Sequence, residues 1–453
     1  MLAFIHDHAL TLSVALPFAG SIVAMLIPGR RRTAIKVAAA VVGALSILLS
    51  FYIFLSYDYR RGGFQFQEAY PWITSLGVQW RVGADGISVL MVLLTGIVMF
   101  TGVLISWNIN TRTKDFFVLL LTLVTGVFGV FVTLDLFLLF FFYELAVLPM
   151  YLLIGVWGSS TDFKTFLRTK EYGAMKLVLY LVAGSALVWV ALVAVYVQAN
   201  QGTFDLLVLS QTTFPQEFQR IFFPFFMVGF GVLAGLWPFH TWSPDGHVAA
   251  PTAVSMLHAG VLMKLGAYGI VRVGMTLFPE GTQAWMPVLI VLGTVNVVYG
   301  AVSATAQRDL KYVVGYSSVS HMGYVLMGLA TMHPAGVTGA VLQMFSHGIM
   351  TALFFALVGV IYDQAHVRDI GIFEGLAKRM GVTAAFFAVA GLTSMGLPGL
   401  SGFVAEFLVF VGTFQTYPLL GVLGIIGAAI TAVYILRLLA KVYEEAAALP
   451  DDA

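Results

Sequence analysis

Long apolar segments, separated by short polar ones, recur along almost the whole chain. Each is about 20 residues long, the length that an α-helix needs to cross the hydrocarbon core of a bilayer. The pattern predicts an all-α polytopic membrane protein with about thirteen transmembrane helices. No linker or low-complexity tract divides residues 1–453, so we expect a single membrane domain. The predicted spans are 8–28, 34–56, 85–107, 115–133, 135–157, 172–198, 221–241, 252–274, 284–304, 311–331, 337–362, 382–413 and 418–440.

Two of these spans are interrupted in the middle by glycine and proline. One contains Gly235 and Pro238 and leads into a predicted turn rich in Pro, Asp and His, and the other contains Pro398. A broken helix in a membrane is tolerated mainly where it is buried in protein or lines a water-filled cavity. Paired interruptions in the two halves of a chain are typical of inverted repeats with an ion path near the membrane midplane.

Composition strengthens the membrane interpretation and excludes several functions. The chain is 60% hydrophobic and 10% charged, whereas a soluble domain carries about a quarter charged residues. A net charge of +1 argues against nucleic acid as a partner. The absence of cysteine excludes cysteine-ligated iron–sulfur clusters, thiolate zinc sites and disulfides. No phosphate-binding loop, metalloprotease motif or nucleophile–base pattern is present, so we expect no covalent chemistry, cofactor or metal in this chain.

The distribution of Lys and Arg predicts the orientation of the spans. Because basic residues favour cytoplasmic loops, we expect the N-terminus outside and the C-terminus, with a short tail at 442–453, in the cytoplasm. The N-terminus lacks the basic region and cleavage site of a signal peptide. The basic side holds Arg30, Arg31, Arg32, Lys36, Arg112, Lys114, Lys164, Arg168, Lys170, Arg308, Lys311, Arg368, Lys378, Arg379, Arg437 and Lys441, and the opposite side Arg60, Arg61, Arg81, Arg220 and Arg272.

Four charged residues fall inside apolar runs: Glu144, Lys176, Lys264 and Glu406. Intramembrane charges are costly and mostly mark ion pathways, which favours a proton path. A structural interpretation remains open for two of them. Glu144 could be a neutral carboxyl held by hydrogen bonds, and Lys176 lies close enough to its helix start to reach the membrane surface. Glu406 follows the break at Pro398 and is a candidate ion-loading or exit group.

Histidines 240, 247, 258, 321 and 347 lie in or beside spans. Because an imidazole both donates and accepts protons near neutral pH, such residues suit a relay. Two other interpretations stay open: structural histidines that satisfy backbone groups, and axial haem ligands. No arrangement in the sequence singles out a facing pair of ligands for haem.

Several motifs resemble the antiporter-like subunits of respiratory complex I, with the greatest similarity to the chain M type, the counterpart of mitochondrial subunit 4. They occur in the family's order over about residues 80–440. The motifs are WPFHTWSPDGHVAAPT, LHAGVLMKLGAYG, QRDLKYVVGYSSVSHMGY, QMFSHGIM and GLPGLSGFVAEF, together with Asp85-Gly86-Ile87-Ser88 at the start of a span.

The resemblance implies a fold of fourteen helices with two inverted five-helix repeats, broken near Pro238 and Pro398. It places helices 1–3 in 1–110, the first repeat in 111–280 and the second in 281–441. It also implies a proton-translocating subunit of a complex I-type quinone oxidoreductase in the bacterial inner membrane, surrounded by further membrane subunits and driven by redox chemistry elsewhere. The implied proton path comprises Glu144, Lys176, Lys264, His321, His347 and Glu406.

Two features depart from that family pattern. Leu233 stands where relatives carry a helix-7 lysine, and the chain ends after thirteen predicted spans rather than fourteen. If the chain pumps protons, His240, Lys176 or water replaces the missing lysine. The alternatives are a structural or coupling subunit that conducts little, and a subunit of a cation/proton antiporter or membrane-bound hydrogenase. Retention of the other buried charges favours proton translocation.

Overall fold

The computed structural model describes residues 2–163, 167–372 and 375–443. Lys164 and residues 444–453 of the predicted tail lie outside the described residues. The elements are α1 Leu2–Asp7, α2 Ala9–Leu26, α3 Arg32–Ser56, β1 Gln65–Ile73, β2 Val78–Ala84, α4 Gly86–Ile105, α5 Thr113–Val132, α6 Leu136–Trp157, β3 Thr161–Asp162, β4 Leu167–Arg168, α7 Lys170–Ala199, α8 Leu206–Leu209, α9 Gln216–Ala234, α10 Trp242–Ala249, α11 Thr252–Leu257, α12 Met263–Gly269, α13 Pro279–Ala306, α14 Leu310–Ala330, α15 Pro334–Ala365, α16 Leu376–Arg379, α17 Gly381–Ser394, α18 Ser401–Thr416 and α19 Pro418–Tyr443.

The helices agree with the predicted membrane architecture. In the described ranges, eleven helical segments are long and apolar enough to cross a bilayer, and α17 and α18 are shorter apolar helices. The predicted span 311–331 corresponds to α14, whose side chains are almost all buried. A helix that is buried on every side can carry polar residues, because these contact protein rather than lipid.

The two predicted breaks are confirmed, with changed boundaries. The span expected at 221–241 ends at Ala234, where Gly235 adopts a left-handed conformation with φ of 78°. The residues expected as a turn contain the short helix α10. The span expected at 382–413 is divided into α17 and α18, because residues 395–400 between them are not helical.

The connection at 57–84 contains an antiparallel β-hairpin that the sequence analysis did not predict. Strand β2 is attached to two later segments of the chain. The backbone N–H of Leu134 donates to the carbonyl of Arg81 over 2.8 Å, and the Arg81 guanidinium lies 3.3 Å from the Asp205 carboxylate. The hairpin is thereby attached to Leu134, which precedes α6, and to Asp205, which follows α7.

Aspartates at the starts of several helices explain why those helices begin where they do. Asp85, Asp135 and Asp309 each accept hydrogen bonds from backbone N–H groups in the first turn of α4, α6 and α14. Asp135 also accepts from Gln79 N over 3.0 Å. Burial raises the pKa of Asp135 to about 6, although these hydrogen bonds act in the opposite direction.

The described residues form two compact units. The first runs up to Gly235 and includes Ala249–Pro287, and the second comprises Leu236–Val248 and the residues from Val288 onward. The segment after the first break, including α10, therefore packs within the second unit. Nothing tests the predicted division at 1–110, 111–280 and 281–441, which stays a prediction.

Within the first unit, α5 and α6 approach closely at two glycines. A Cβ atom at Gly126 would lie 2.5 Å from the backbone nitrogen of Ala146, and one at Gly129 would lie 2.2 Å from the Phe142 ring. Small residues at such crossings allow two helix backbones to approach closely in a membrane.

We expect Gly126→Ala to lower the stability of the protein by about 1–3 kcal/mol, because the added methyl group forces the helices apart. Gly155→Ala is a matched control, since nothing lies within 4 Å of a Cβ at that helical position. The midpoint of thermal unfolding should fall for the first variant only. Equal midpoints for the two variants would contradict this packing argument.

Candidate functional site

Three of the predicted site residues meet in the second unit. His321 on α14, His347 on α15 and Glu406 on α18 are 1%, 1% and 4% exposed. The Nδ1 atom of His321 lies 3.3 Å from Oε1 of Glu406, and the two imidazole rings stack with centroids 5.3 Å apart. The three groups therefore form one buried titratable cluster.

The second helix break brings Glu406 into this cluster. Gly396 and Gly399 between α17 and α18 have φ values of +65° and +97°, a backbone conformation that favours glycine. A Cβ at Gly396 would lie 2.7 Å from Oε2 of Glu406. The break thus places the Glu406 carboxylate directly against the backbone of Gly396, where any side chain would collide with it.

Two polar side chains complete the hydrogen bonding around His321. Its Nε2 atom lies 2.9 Å from the Ser394 hydroxyl, at the end of α17. Its Nδ1 atom lies 3.1 Å from Nε2 of Gln343, which also donates to Glu406 Oε1 over 3.3 Å. Both ring nitrogens consequently have polar partners, as a proton-exchanging imidazole requires.

Lys264 occupies a separate position in the first unit. It lies in α12, directly after a π-helical turn at His258–Leu262, and its side chain is fully buried. Its ammonium group donates to the Ala259 carbonyl within that turn. Single π-turns inserted in α-helices are frequent at functional sites, because they free carbonyl groups from the helical ladder.

Glu144 and Lys176 are less deeply enclosed than Lys264. Both are partly exposed, on α6 and α7. The Lys176 ammonium lies 5.7 Å from the centroid of the Tyr172 ring. Because α6 and α7 pack side by side, these residues belong to one helix pair.

The structure places Leu233 and His240 in different units. Leu233 is fully buried in the last turn of α9, whereas His240 follows the break and packs its ring on Tyr299 with centroids 5.0 Å apart. The segment around His240 is fixed by Asn296, whose Oδ1 accepts from Trp237 N over 2.6 Å. The suggestion that His240 replaces the missing lysine stays a prediction.

A buried ion pair in the first unit was missed by the sequence analysis. Arg272, counted in the sequence analysis on the side opposite the basic side, is 6% exposed inside a helical segment, and its guanidinium lies 2.6 Å from Asp85. It also donates to the Tyr268 hydroxyl, which lies 2.9 Å from the Ser88 hydroxyl. Burial opposes ionisation of Asp85, but Arg272 outweighs it and lowers the pKa of this carboxyl.

Three residues that the sequence analysis counted on the basic side are also buried. Lys36 is 7% exposed and donates to Asn110 over 2.9 Å, and Lys311 is 3% exposed in the first turn of α14. Arg368 is 8% exposed, and its guanidinium lies 3.1 Å from the Asp309 carboxylate. Together with Arg272, these four positions do not belong in a comparison of loop charges.

Some residues of the site carried a sequence signal that was not used. Gln343 precedes His347 by four positions, and residues at that spacing share one helix face. His258 begins the π-turn before Lys264 and is fully buried. Across the described ranges, no group of three or more His, Asp or Glu side chains is arranged to hold a metal ion.

Comparison with known proteins decides the family. The profile described as NADH:quinone oxidoreductase/Mrp antiporter, TM, matches residues 133–431. The chain belongs to this family. This chain is 38% identical over 445 residues to an NAD(P)H-quinone oxidoreductase chain 4 of Picosynechococcus sp., and the match covers 96% of this chain and 79% of the relative. It is 36% identical over 441 residues to chain 4 of Gloeobacter violaceus, covering 96% and 82%.

Solved structures of membrane complexes contain the same fold. A chain of respiratory complex I from Thermus thermophilus superposes with a TM-score of 0.88 at 28% identity, over 98% of this chain and 91% of that one. A chain of the Mrp complex from Dietzia sp. gives a TM-score of 0.84 at 20% identity, over 99% and 82%, and this likeness shows the fold alone. The resemblance drawn from the motifs and the predicted all-α membrane fold are confirmed.

Proposed function

We propose that this chain translocates protons as an antiporter-like membrane subunit of a complex I-type NAD(P)H–quinone oxidoreductase. Quinone reduction in other subunits drives the transfer, and this chain performs no redox chemistry and holds no cofactor or metal. The proposed path uses Glu144, Lys176 and Lys264 in the first unit. In the second unit it uses His321, His347 and Glu406.

The cluster of His321, His347 and Glu406 is the observation that carries this proposal. Isolated charges are costly in a membrane interior, and groups that exchange a proton must lie within hydrogen-bond reach of each other. His321 Nδ1 and Glu406 Oε1 lie 3.3 Å apart as an ion pair, and Nε2 of Gln343 is within hydrogen-bond distance of both atoms. A proton on the imidazole can move to the carboxylate without a large displacement of either helix.

Leu233 supports the second candidate, a subunit that braces or couples the complex and conducts little. A leucine cannot carry the charge of the lysine that the motif resemblance implies at this position, so Glu144 lacks that cationic partner. A third candidate, a subunit of a cation/proton antiporter or membrane-bound hydrogenase, keeps the transport function and changes the surrounding complex. The family description names both quinone oxidoreductases and Mrp antiporters.

We infer the cellular setting from the relatives and from the distribution of charge. The proposed location is the bacterial inner membrane, with the N-terminus outside and the C-terminus in the cytoplasm. The proposed partners are other membrane subunits, including further antiporter-like chains, together with lipid and protons.

The test is quinone-reduction-driven proton uptake by proteoliposomes that contain the intact complex. We expect Glu406→Gln to lower the proton-to-electron ratio while assembly and quinone reduction persist, because the amide cannot release a proton. Glu68→Gln is a matched control, since Glu68 is also buried, at 6% exposure, but lies in β1 and binds His8 over 2.8 Å.

A Leu233→Lys variant separates the two main candidates. If it raises the ratio above that of the unmodified complex, the first half of the path is limited by the missing lysine. If neither Glu406→Gln nor Leu233→Lys changes the ratio, the bracing function is correct. A dependence of uptake on Na⁺ or K⁺ instead of quinone reduction would favour the antiporter.

A further inference from the structure

We propose that Gln343 is a positioning residue whose side-chain amide turns over as the His321–Glu406 pair gains or loses a proton. The inference rests on the proposed function and concerns how the pair releases its proton. Gln343 lies on α15, one helical turn before His347, and is 1% exposed.

Three polar atoms form a compact triangle at this point. Nε2 of Gln343 lies 3.1 Å from His321 Nδ1 and 3.3 Å from Glu406 Oε1, and these two atoms are 3.3 Å apart. An amide nitrogen carries two hydrogens and accepts none, so both neighbours serve as acceptors in this arrangement. The geometry corresponds to an ionised Glu406 and an imidazole whose Nδ1 lone pair is free to accept.

The remaining contact of the imidazole agrees with that protonation state. His321 Nε2 lies 2.9 Å from the Ser394 hydroxyl, so its hydrogen has a partner while Nδ1 accepts from Gln343. With the amide nitrogen inward, Gln343 stabilises the pair that holds no mobile proton, through two hydrogen bonds.

The other end of the same amide is unsatisfied. Oε1 of Gln343 is buried and has no hydrogen-bond partner among the described protein atoms. A buried acceptor without a partner costs free energy. A half-turn about the terminal side-chain bond, whose two orientations occupy the same volume, would bring Oε1 to face His321 and Glu406.

Arrival of a proton supplies the reason for that turn. A hydrogen on His321 Nδ1 would point at the amide hydrogens of Gln343, and the turned amide accepts it instead. When the proton then moves to Glu406, the new carboxyl hydrogen has the same carbonyl acceptor. The amide orientation therefore follows the proton content of the pair, nitrogen inward when it is empty and oxygen inward when it is loaded.

Other titratable groups surround the pair and are included in the experiment. The His347 ring stacks on His321 from α15, and the phenols of Tyr324 on α14 and Tyr434 on α19 interact electrostatically with Glu406. These groups remain unchanged in the variants below. A difference between the variants consequently reports on residue 343.

The test measures the pH profile of the proton-to-electron ratio in proteoliposomes containing the whole complex. Gln343→Met removes two hydrogen bonds from the empty pair and one from the loaded pair, so the pair keeps its proton to higher pH. We expect the profile to move up by somewhat less than one pH unit, the equivalent of one hydrogen bond. The ionised carboxylate of Gln343→Glu presents only acceptors and should move the profile further in the same direction.

Gln219→Met is the matched control. Gln219 is also buried, but its amide is satisfied at both ends by backbone groups of Phe214, Glu280 and Gly281. This variant should lower thermal stability and leave the pH profile unchanged. If Gln343→Met fails to assemble, Gln343→Glu tests the same sign.

A second measurement follows the amide itself. Isotope-edited infrared difference spectra between high and low pH report the Gln343 carbonyl band, which is assigned by its loss in Gln343→Met. We expect this band to shift to lower frequency on acidification, because Oε1 then accepts a hydrogen bond. An unmoved band, or unchanged pH profiles for both Gln343 variants, overturns the inference. If Glu406→Gln lowers the ratio while these results are null, only the amide turnover fails and the proposed function stands.

Discussion

Arg272→Leu should lower the free energy of unfolding by about 3 kcal/mol, the low end for breaking a buried ion pair, because it leaves the partly exposed Asp85 carboxylate without its cation. The two side chains are 2.6 Å apart, Arg272 is buried at 6% exposure, and the Asp85 side chain is 21% exposed, so water reaches this pair only from the Asp85 side. Thermal unfolding of the purified complex in detergent measures the effect. Arg220→Leu is the control, since Arg220 is exposed. An equal loss in both variants would refute the buried-pair argument.

The same loss should depend on pH in a defined direction. The lowered pKa of Asp85 in the folded protein means that its stabilising contribution is present above the ordinary value of 3.8. That contribution is lost as the pH falls through the folded value. Without Arg272, burial is opposed only by the hydrogen bonds from Ser88, so the pKa of the carboxyl rises and the variant is destabilised most at neutral pH. The difference between the two proteins should therefore narrow as the pH falls from 7 towards 4.

Lys264→Met should abolish proton translocation by this chain and leave quinone reduction running. The methionine fills a similar volume in a site that is fully closed to solvent, but it cannot carry a proton. The proton-to-electron ratio should fall by the same amount as in Glu406→Gln. Because residues in series on one path act as a unit, the double variant should show no further fall.

Lys36→Met supplies the control for that experiment. Lys36, near the start of α3, is also a buried lysine, at 7% exposure. Its ammonium group donates a hydrogen bond to Asn110 and is not part of the proposed path. If Lys264→Met and Lys36→Met both leave the proton-to-electron ratio unchanged, the buried charge of Lys264 has a structural function only. A double variant lower than either single variant would indicate two independent paths.

The sequence predicted the features that depend on local composition. Apolar runs located the transmembrane helices, and the glycine–proline interruptions located both breaks. The hairpin at 65–84 escaped detection because Pro71 and two irregularities in register interrupt the alternation expected of a strand. The π-turn at His258–Leu262 has no known compositional signature, so it is visible only in the folded structure.

Contacts between distant residues lay beyond sequence reasoning. His321 and Glu406 are far apart along the chain, and their association in one path came from the family resemblance, not from spacing. Arg272 was counted on the side opposite the basic side, near the end of the span predicted at 252–274, yet its partner Asp85 follows a strand much earlier in the chain. Membrane burial of a paired charge cannot be distinguished from loop exposure when the partner is unknown.

The attachment of the β-hairpin has a consequence for the order in which the protein matures during synthesis. Arg81 on β2 contacts Leu134, just before α6, and Asp205, just after α7. The ribosome produces β2 long before either partner, and two membrane helices must be inserted between the arrival of Leu134 and that of Asp205. We therefore expect the hairpin to lack its contact with Asp205 until residue 205 has reached the same side of the membrane. Formation of the contact between Arg81 and Asp205 requires that α6 and α7 have been inserted with the correct topology.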